Sequence, residues 1–275
     1  MIKSNQKFGF GEIFSMRKLS KFKSSDTLFI MGSGPSICDM NSDQFNHISK
    51  HDSFGFTNWT LHDHVPTYYM NEFKFKDEEM IRCAEQELYN LVAKKKLYKD
   101  TALIFRAGST EFKKINGINK LGLPFKNIFL ALDVGVYGKN KDEFMKSLLF
   151  LKKCRILNSQ FLLLQKSASL FRVIIFAYKL GYKKIVLCGI DLTGEQYFWE
   201  KEINKYSKKD LIIPILESNR TLSHKTNNPG KSTGGMIISD IIYATNETLL
   251  GPNSIELSVE SEQSYFFPKY PIYDW

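Results

Sequence analysis

Only four cysteines, Cys38, Cys83, Cys154 and Cys188, occur in this 275-residue chain, and no two form a Cys-x-x-Cys pair. No histidine stands at metal-ligand spacing from any of them, so no zinc site and no disulfide framework is expected. They read as free thiols in a reducing compartment. The glycine turn after the first apolar run carries no Walker-type Gly-Lys-Ser/Thr, and the chain has no Asp-x-Asp pair to hold a metal on a diphosphate. No apolar run approaches the roughly 18 residues of a membrane-spanning helix. Residues 1–24 carry Lys3, Lys7, Arg17, Lys18, Lys21 and Lys23 without an uninterrupted apolar stretch, so no signal peptide is expected. The expectation is a cytoplasmic protein that touches the inner face of the membrane through its basic amphipathic start. Acid is also scarce: 29 Asp and Glu face 38 Lys and Arg, a net charge of +9. That balance favours anionic partners such as nucleotide sugars, glycolipids, a membrane surface or nucleic acid. A hydrophobic fraction of 43% excludes intrinsic disorder and leaves room for one large α/β domain.

What is present begins at residues 28–37, Leu-Phe-Ile-Met-Gly-Ser-Gly-Pro-Ser-Ile. An apolar strand that stops at two glycines lets backbone N–H groups approach a ligand closely. Gly32, Ser33, Gly34, Pro35 and Ser36 therefore form a candidate phosphate or nucleotide cradle. Pro35 removes one N–H, and no third glycine follows, so this is not the Gly-x-Gly-x-x-Gly dinucleotide turn. An ordinary turn after a strand is the bland alternative.

Strands are expected at Asp26–Met31, His51–Asn58, Thr67–Asn71, Thr101–Arg106, Asn127–Leu132, Lys184–Cys188 and Ile255–Ser258. Helices are expected from near Pro35, at Glu78–Lys96, Asp142–Lys153, Ser167–Leu180 and Gly235–Leu250. Their alternation predicts a Rossmann-like α/β fold, a mostly parallel sheet flanked by helices. Residues 1–25 read as a basic lead-in, 26–258 as a single domain and 259–275 as an aromatic tail. Tyr197–Ser223 is polar and lysine-rich, and reads as a lid with little core within about 194–225.

Polar residues recur where these strands end: Asn58, Asn71, and Asp191 after Gly189. In a doubly wound sheet such positions face one crevice; a single Asn there is more often a turn former. Ser169, at a helix start, suits a carboxylate or phosphate, or is a plain N-cap. Tyr197 can donate to a departing phosphate or simply pack. His224, before a helix, has the pKa of a general base. His62-x-His64 lacks supporting carboxylates, so no metal is expected.

In this order the pieces resemble the bacterial sialyltransferases of glycosyltransferase family 42. Gly32-Ser-Gly-Pro-Ser36 is similar to the family's opening turn, and Phe56-Thr-Asn58 and Tyr69-Met-Asn71 to its strand-end asparagines. Leu180-Gly-Tyr-Lys-Lys-Ile-Val-Leu-Cys-Gly-Ile-Asp191 is the nearest segment, and Gly251-Pro-Asn-Ser254 resembles a late turn. The segments lie within 26–75 and 165–258. The resemblance implies a GT-A-like Rossmann variant and transfer, with inversion and without metal, from a CMP-sugar. It implies that Ser169 holds the donor carboxylate, that Tyr197 steadies the leaving phosphate and that His224-Lys-Thr-Asn supplies the base. No separate cofactor is implied, since the CMP-sugar is a substrate. The acceptor that the resemblance implies is a lipid-linked cell-surface glycan. Ser33, Ala168 and Thr193 depart from the family pattern. Thr193 stands where a second phosphate-contacting tyrosine is expected, and a related nonulosonate or Kdo donor stays open. A homo-oligomer is open as well.

Two other classes fit parts of the chain. A pyrophosphokinase-like or motility-associated transferase relative shares the opening turn but asks for more strand-end carboxylates. A non-catalytic nucleotide or nucleic-acid module fits the charge, yet the clustered Arg-aromatic strands of nucleic-acid readers are missing, so no nucleic-acid partner is expected.

Overall fold

A computed structural model of the chain describes residues 12–72, 78–106, 123–192, 196–206, 210–214, 225–227 and 235–275. Nine strands are described: β1 (Glu12–Ile13), β2 (Thr27–Met31), β3 (Asp52–Phe56), β4 (Tyr68–Glu72), β5 (Ala102–Arg106), β6 (Ile128–Gly135), β7 (Leu162–Gln165), β8 (Lys184–Cys188) and β9 (Glu256–Val259). All their ladders are parallel, in the order β1-β6-β5-β4-β3-β2-β8-β9, with β7 on the carboxyl half of β6. This is the Rossmann-like α/β arrangement that the alternation predicts.

Five of the helices frame the sheet and its loops: α1 (Ser42–Ile48), α2 (Glu78–Ala93), α3 (Lys141–Lys153), α4 (Ser169–Leu180) and α5 (Ile238–Thr245). The central strand shows why they cover both faces. Thr-Leu-Phe-Ile-Met is buried along its whole length, as a strand covered on both sides must be. Leu28 and Ile30 point into one core with Phe176 of α4 and Ile241 of α5. Phe29 and Met31 point into the other with Ile48 of α1 and Leu88 and Leu91 of α2. Phe176 meets Phe54 and Tyr68 edge to face, both at 4.9 Å. Burying each such ring stabilises by about 1.5–3 kcal/mol.

Several sequence expectations are corrected. The helix near Pro35 is only a 3-10 turn, Pro35–Asp39; α1 follows it, capped by Asn41, which accepts from Asp43 N at 2.9 Å and Gln44 N at 3.0 Å. Strands β1 and β7 were not expected. Phe198–Lys201 and Ile203–Tyr206, expected to have little core, are short helices that bury Phe198, Trp199 and Tyr206. The tail returns to the β9 edge, where Val259 N donates to Pro271 O at 3.0 Å and Tyr273 N to Val259 O at 2.8 Å.

Two segments that carry the resemblance lie at the amino end of the sheet, where Gly181, Tyr182, Lys183 and Asn253 line a separate pocket. Gly251–Asn253 precedes β9, so it sits at the amino end of the sheet, opposite the turn after β2. Gly181 closes α4 in a left-handed conformation, φ 72°, a role that glycine fills without strain. Tyr182 is fully buried, and its hydroxyl donates to Asp52 Oδ2 at 2.8 Å. Asp52 in turn accepts from Ser24 N, Ser24 Oγ and Ser25 N. Gly181-Tyr-Lys183 is thus a clasp between the lead-in, β3 and α4. Tyr182→Phe is expected to lower stability by about 1 kcal/mol and leave ligand responses alone. Denaturant melts and nucleotide titrations of the same variant check this, and altered nucleotide binding would make Tyr182 more than a clasp.

Candidate functional site

From β2 the chain winds outward through β3, β4, β5 and β6, then returns to place β8 on the other side of β2. The winding therefore reverses between β2 and β8. Ligands of open α/β sheets bind outside the strand carboxyl ends at such a point. The loops that leave there are Gly32–Ser36 and Gly189–Leu192, both singled out by the sequence.

Their contact is tighter than a cradle would be. Gly32 N donates to Cys188 O at 2.7 Å, Gly34 N to Gly189 O at 2.8 Å and Ser36 N to Asp191 Oδ2 at 2.9 Å. A Cβ on Gly32 would lie 2.4 Å from Gly189 O, and one on Gly34 would lie 2.3 Å from Asp191 Oδ2. Gly189 has φ 65°, and its own Cβ would meet Ile37 at 2.5 Å. The glycines let two turns interlock. The expected phosphate cradle is corrected accordingly, because three of the N–H groups that it would offer are already bonded within the protein. Ser33, Gly34 and Pro35 keep partial exposure, whereas Gly32 is buried.

Beneath the turns lies a network that sequence reading missed. Ser36 Oγ is 2.6 Å from both Asp191 Oδ1 and Glu260 Oε1, and Gly189 N donates to Glu260 Oε1 at 3.0 Å. Ser36, Asp191 and Glu260 are 2%, 5% and 3% exposed. A hydroxyl has one hydrogen, so it cannot donate to both carboxyls. Burial pushes Glu260 up to about 7, and burial likewise raises Asp191, with the bonds from Ser36 opposing it. Glu260 is therefore the group that carries the second proton, donating to Ser36 while Ser36 donates to Asp191. Asp191 thereby locks the turns and has both oxygens on Ser36. Glu260 was missed because it follows β9 as one acid in a polar stretch, and only the fold shows it buried.

The other expected residues sit around this point. Asn58 lies half-buried in the turn after β3, Thr57–Leu61. Asn71 ends fully buried in β4, and its Nδ2 donates to Glu87 Oε2 on α2 at 2.7 Å. Its side chain thus joins strand to helix. Tyr197 stacks on Trp199 at 4.6 Å, and the next residue, Phe198, donates its N–H to Ser33 O at 3.1 Å. This holds the tyrosine beside the exposed part of the opening turn. Ser169 is the first residue of α4; Ala168 stands at the N-cap, without a side-chain bond to the helix. The plain N-cap reading of Ser169 is thus not what the helix uses. Thr193 and His224 lie outside the described residues, as do 194–195, 207–209 and 215–223 of the expected lid.

A charged group at the ends of β5, β6 and β7 was also missed. Arg106 Nε pairs with Asp133, Arg106 Nη2 donates to Gln165 Oε1 at 2.6 Å, and Arg172 Nε is 3.3 Å from Asp133 Oδ1. Two guanidinium groups share one nearly buried carboxylate. The sequence signal is weak but present: Asp133 and Arg172 each interrupt an apolar run. His62 and His64 are held in an aromatic stack. His62 stacks between Phe45 at 4.8 Å and Trp59 at 4.5 Å, and its Nδ1 accepts from His64 N at 3.0 Å. Burial, above all, lowers their pKa values to about 3 and about 4. Among the described residues no cluster of His, Cys, Asp or Glu is arranged to hold a metal, and no helix is long and apolar enough to cross a membrane. Comparison with protein-family models, curated proteins and solved structures returns no match to this chain.

Proposed function

We propose that the protein is an inverting, metal-independent glycosyltransferase. It moves sialic acid, or a related nonulosonate or Kdo-type acid sugar, from a CMP donor to a hydroxyl of a lipid-linked glycan such as lipooligosaccharide. It works at the inner face of the cytoplasmic membrane. The observation that carries this reading is the reversal of winding between β2 and β8, where Phe198, the neighbour of Tyr197, donates to Ser33 at the strand carboxyl ends. Asn58 leaves β3 on the same side, and α4 begins at Ser169 after β7. Such a helix start favours the carboxylate of an acid sugar.

In this mechanism Ser169 and Asn58 hold the donor near attack geometry. Tyr197, aided by Thr193, donates to the phosphate as CMP leaves, and His224 takes the acceptor proton. The Gly32–Ser36 turn and Asp191 act indirectly, as the rigid floor on which Ser33 and Tyr197 stand. The pyrophosphokinase-like alternative asks for strand-end carboxylates that face a metal. Glu260 and Asp191 are such carboxylates by position, but both turn inward to Ser36.

A thermal-shift series with CMP, CDP, ATP plus magnesium, and an RNA oligomer tests the reading. CMP and CDP are expected to raise the midpoint; at 100 times the dissociation constant a ligand adds about 2.7 kcal/mol. His224→Ala is expected to keep that response and lose transfer by about 10²–10⁴-fold. Stabilisation by ATP alone, or by no cytidine nucleotide, overturns the proposal. Abolition of transfer by EDTA overturns its metal-free part.

A further inference from the structure

The net charge of the chain is not spread evenly. From Phe144 to Ile190 there is no Asp or Glu, but nine Lys or Arg; the rest of the chain balances at 29 of each sign. Much of this segment is buried in the sheet and α4. Its exposed part is the outer face of α3, the residues just after it, and Gly181, Lys183 and Lys184 before β8. At about 100° per residue, positions 146, 149, 150 and 153 fall within an arc of about 100°. They are Lys146, Leu149, Phe150 and Lys153, all exposed, and exposed Asp142, one turn before Lys146, lies at the amino end of the same arc. Leu149 is 51% and Phe150 62% exposed, although the buried stripe of the same helix carries Phe144 and Leu148. Helix α3 runs back toward the amino end of the sheet, where Arg155 and Phe161 are also exposed, Phe161 at 42%. Arg17 joins them: its N–H donates to Gln160 Oε1 at 2.9 Å.

We propose that this face, the outer side of α3 with Arg155, Phe161 and Arg17, docks on an anionic phospholipid bilayer. Large side chains without hydrogen-bonding groups, flanked by cations on long apolar stems, suit the boundary between headgroups and acyl chains. Anionic lipid supplies the charge that the segment lacks. A second copy of the chain would set like charges against each other. A nucleic acid would leave Leu149 without a partner. The face lies away from the turns at the β2 and β8 carboxyl ends, so docking leaves that crevice open. The proposal takes up the membrane-contact part of the proposed function and is independent of its chemistry.

Cys154 supplies a local reporter. It is exposed between Lys153 and Arg155, whereas Cys38 and Cys83 are half-buried and Cys188 is buried. The full chain, labelled at Cys154 with an environment-sensitive fluorophore, is mixed with phosphatidylcholine vesicles, with or without phosphatidylglycerol, at about 0.1 M salt. The emission is expected to shift to the blue, and the protein to sediment, only with the anionic vesicles. Lys146→Gln with Lys153→Gln is expected to weaken binding roughly 25-fold, about fivefold per cation. Leu149→Ser with Phe150→Ser is expected to abolish the shift. All four positions are exposed, and the label on the otherwise unaltered chain decides even if a variant folds poorly. Equal binding to neutral vesicles overturns the proposal, as does binding without a shift at Cys154, or binding to an RNA duplex but not to vesicles. The nucleotide response is read separately, so either proposal fails alone.

Discussion

Gly32→Ala is expected to lower the unfolding midpoint by about 6–12 °C, from an overpacking cost of about 3 kcal/mol. The added Cβ lies 2.4 Å from the carbonyl oxygen of Gly189 and 2.4 Å from Ile190 Cδ1. A flexible side chain could swing aside, but this carbonyl cannot. It already accepts from Gly34 N, and Gly189 N is held by Glu260. Gly189 is itself in the left-handed region, against Ile37. Any retreat of the carbonyl therefore moves the whole turn after β8, and Asp191 with it. Ser33→Ala, one residue on, is the control. Ser33 is partly exposed, and its loss is expected to stay within about 0.5 kcal/mol. Melts followed by circular dichroism separate the two. An unchanged midpoint for Gly32→Ala would mean that the turns do not interlock as described.

The second large effect is on pH. Burial raises Glu260 from its ordinary 4.5 to about 7. The folded protein thus holds a proton that the unfolded chain releases. Stability from this group is fully present below about pH 4.5, is lost as pH rises toward 7 and is flat above. At 1.36 kcal/mol per unit the loss is about 3 kcal/mol. Asp191, also raised, acts with the same sign. His62 and His64 act oppositely: buried and neutral, they add stability as pH rises from about 4 toward the ordinary histidine pKa of about 6.5. The wild-type curve alone therefore mixes the two effects. In Glu260→Gln the histidines remain and the acid is gone. The stability difference, wild type minus Glu260→Gln, is expected to fall by about 3 kcal/mol between pH 4.5 and 7. Denaturant melts at several pH values measure it. A difference independent of pH would remove Glu260 as the proton carrier.

The fold was legible where periodicity carries it. Thr27–Met31, Lys184–Cys188 and α4 announce themselves by long apolar runs, and Gly181 marks the end of α4. Strand β1 has only two residues, and β7 has four that come soon after helix α3, too short for a period to show. The turns at Gly32–Ser36 and Gly189–Asp191 were also legible as special positions. What the sequence left open was their object. A glycine that admits a ligand and one that admits another turn look alike until the neighbour is placed. Asn71 and Asp191 were read as facing a crevice, yet their partners are Glu87 and Ser36, 16 and 155 residues away. The charge run from Phe144 to Ile190 needed no structure to be seen, but its meaning depends on which face of α3 is wet.

The bond between Ser36 and Glu260 spans 224 residues. On a ribosome adding about 5–20 residues per second, the turn after β2 emerges about 10–45 s before its last partner. For about the first 8–30 s of that interval, until β8 and Asp191 are made 155 residues on, β2 can pair with β3, which is made soon after it, while its other edge has no β8 and its hydroxyl no acid. The half-sheet must stay soluble with its central strand open on one side, an edge that invites pairing with other chains. Chaperone dependence during synthesis, rather than stability once folded, is where this architecture is most exposed.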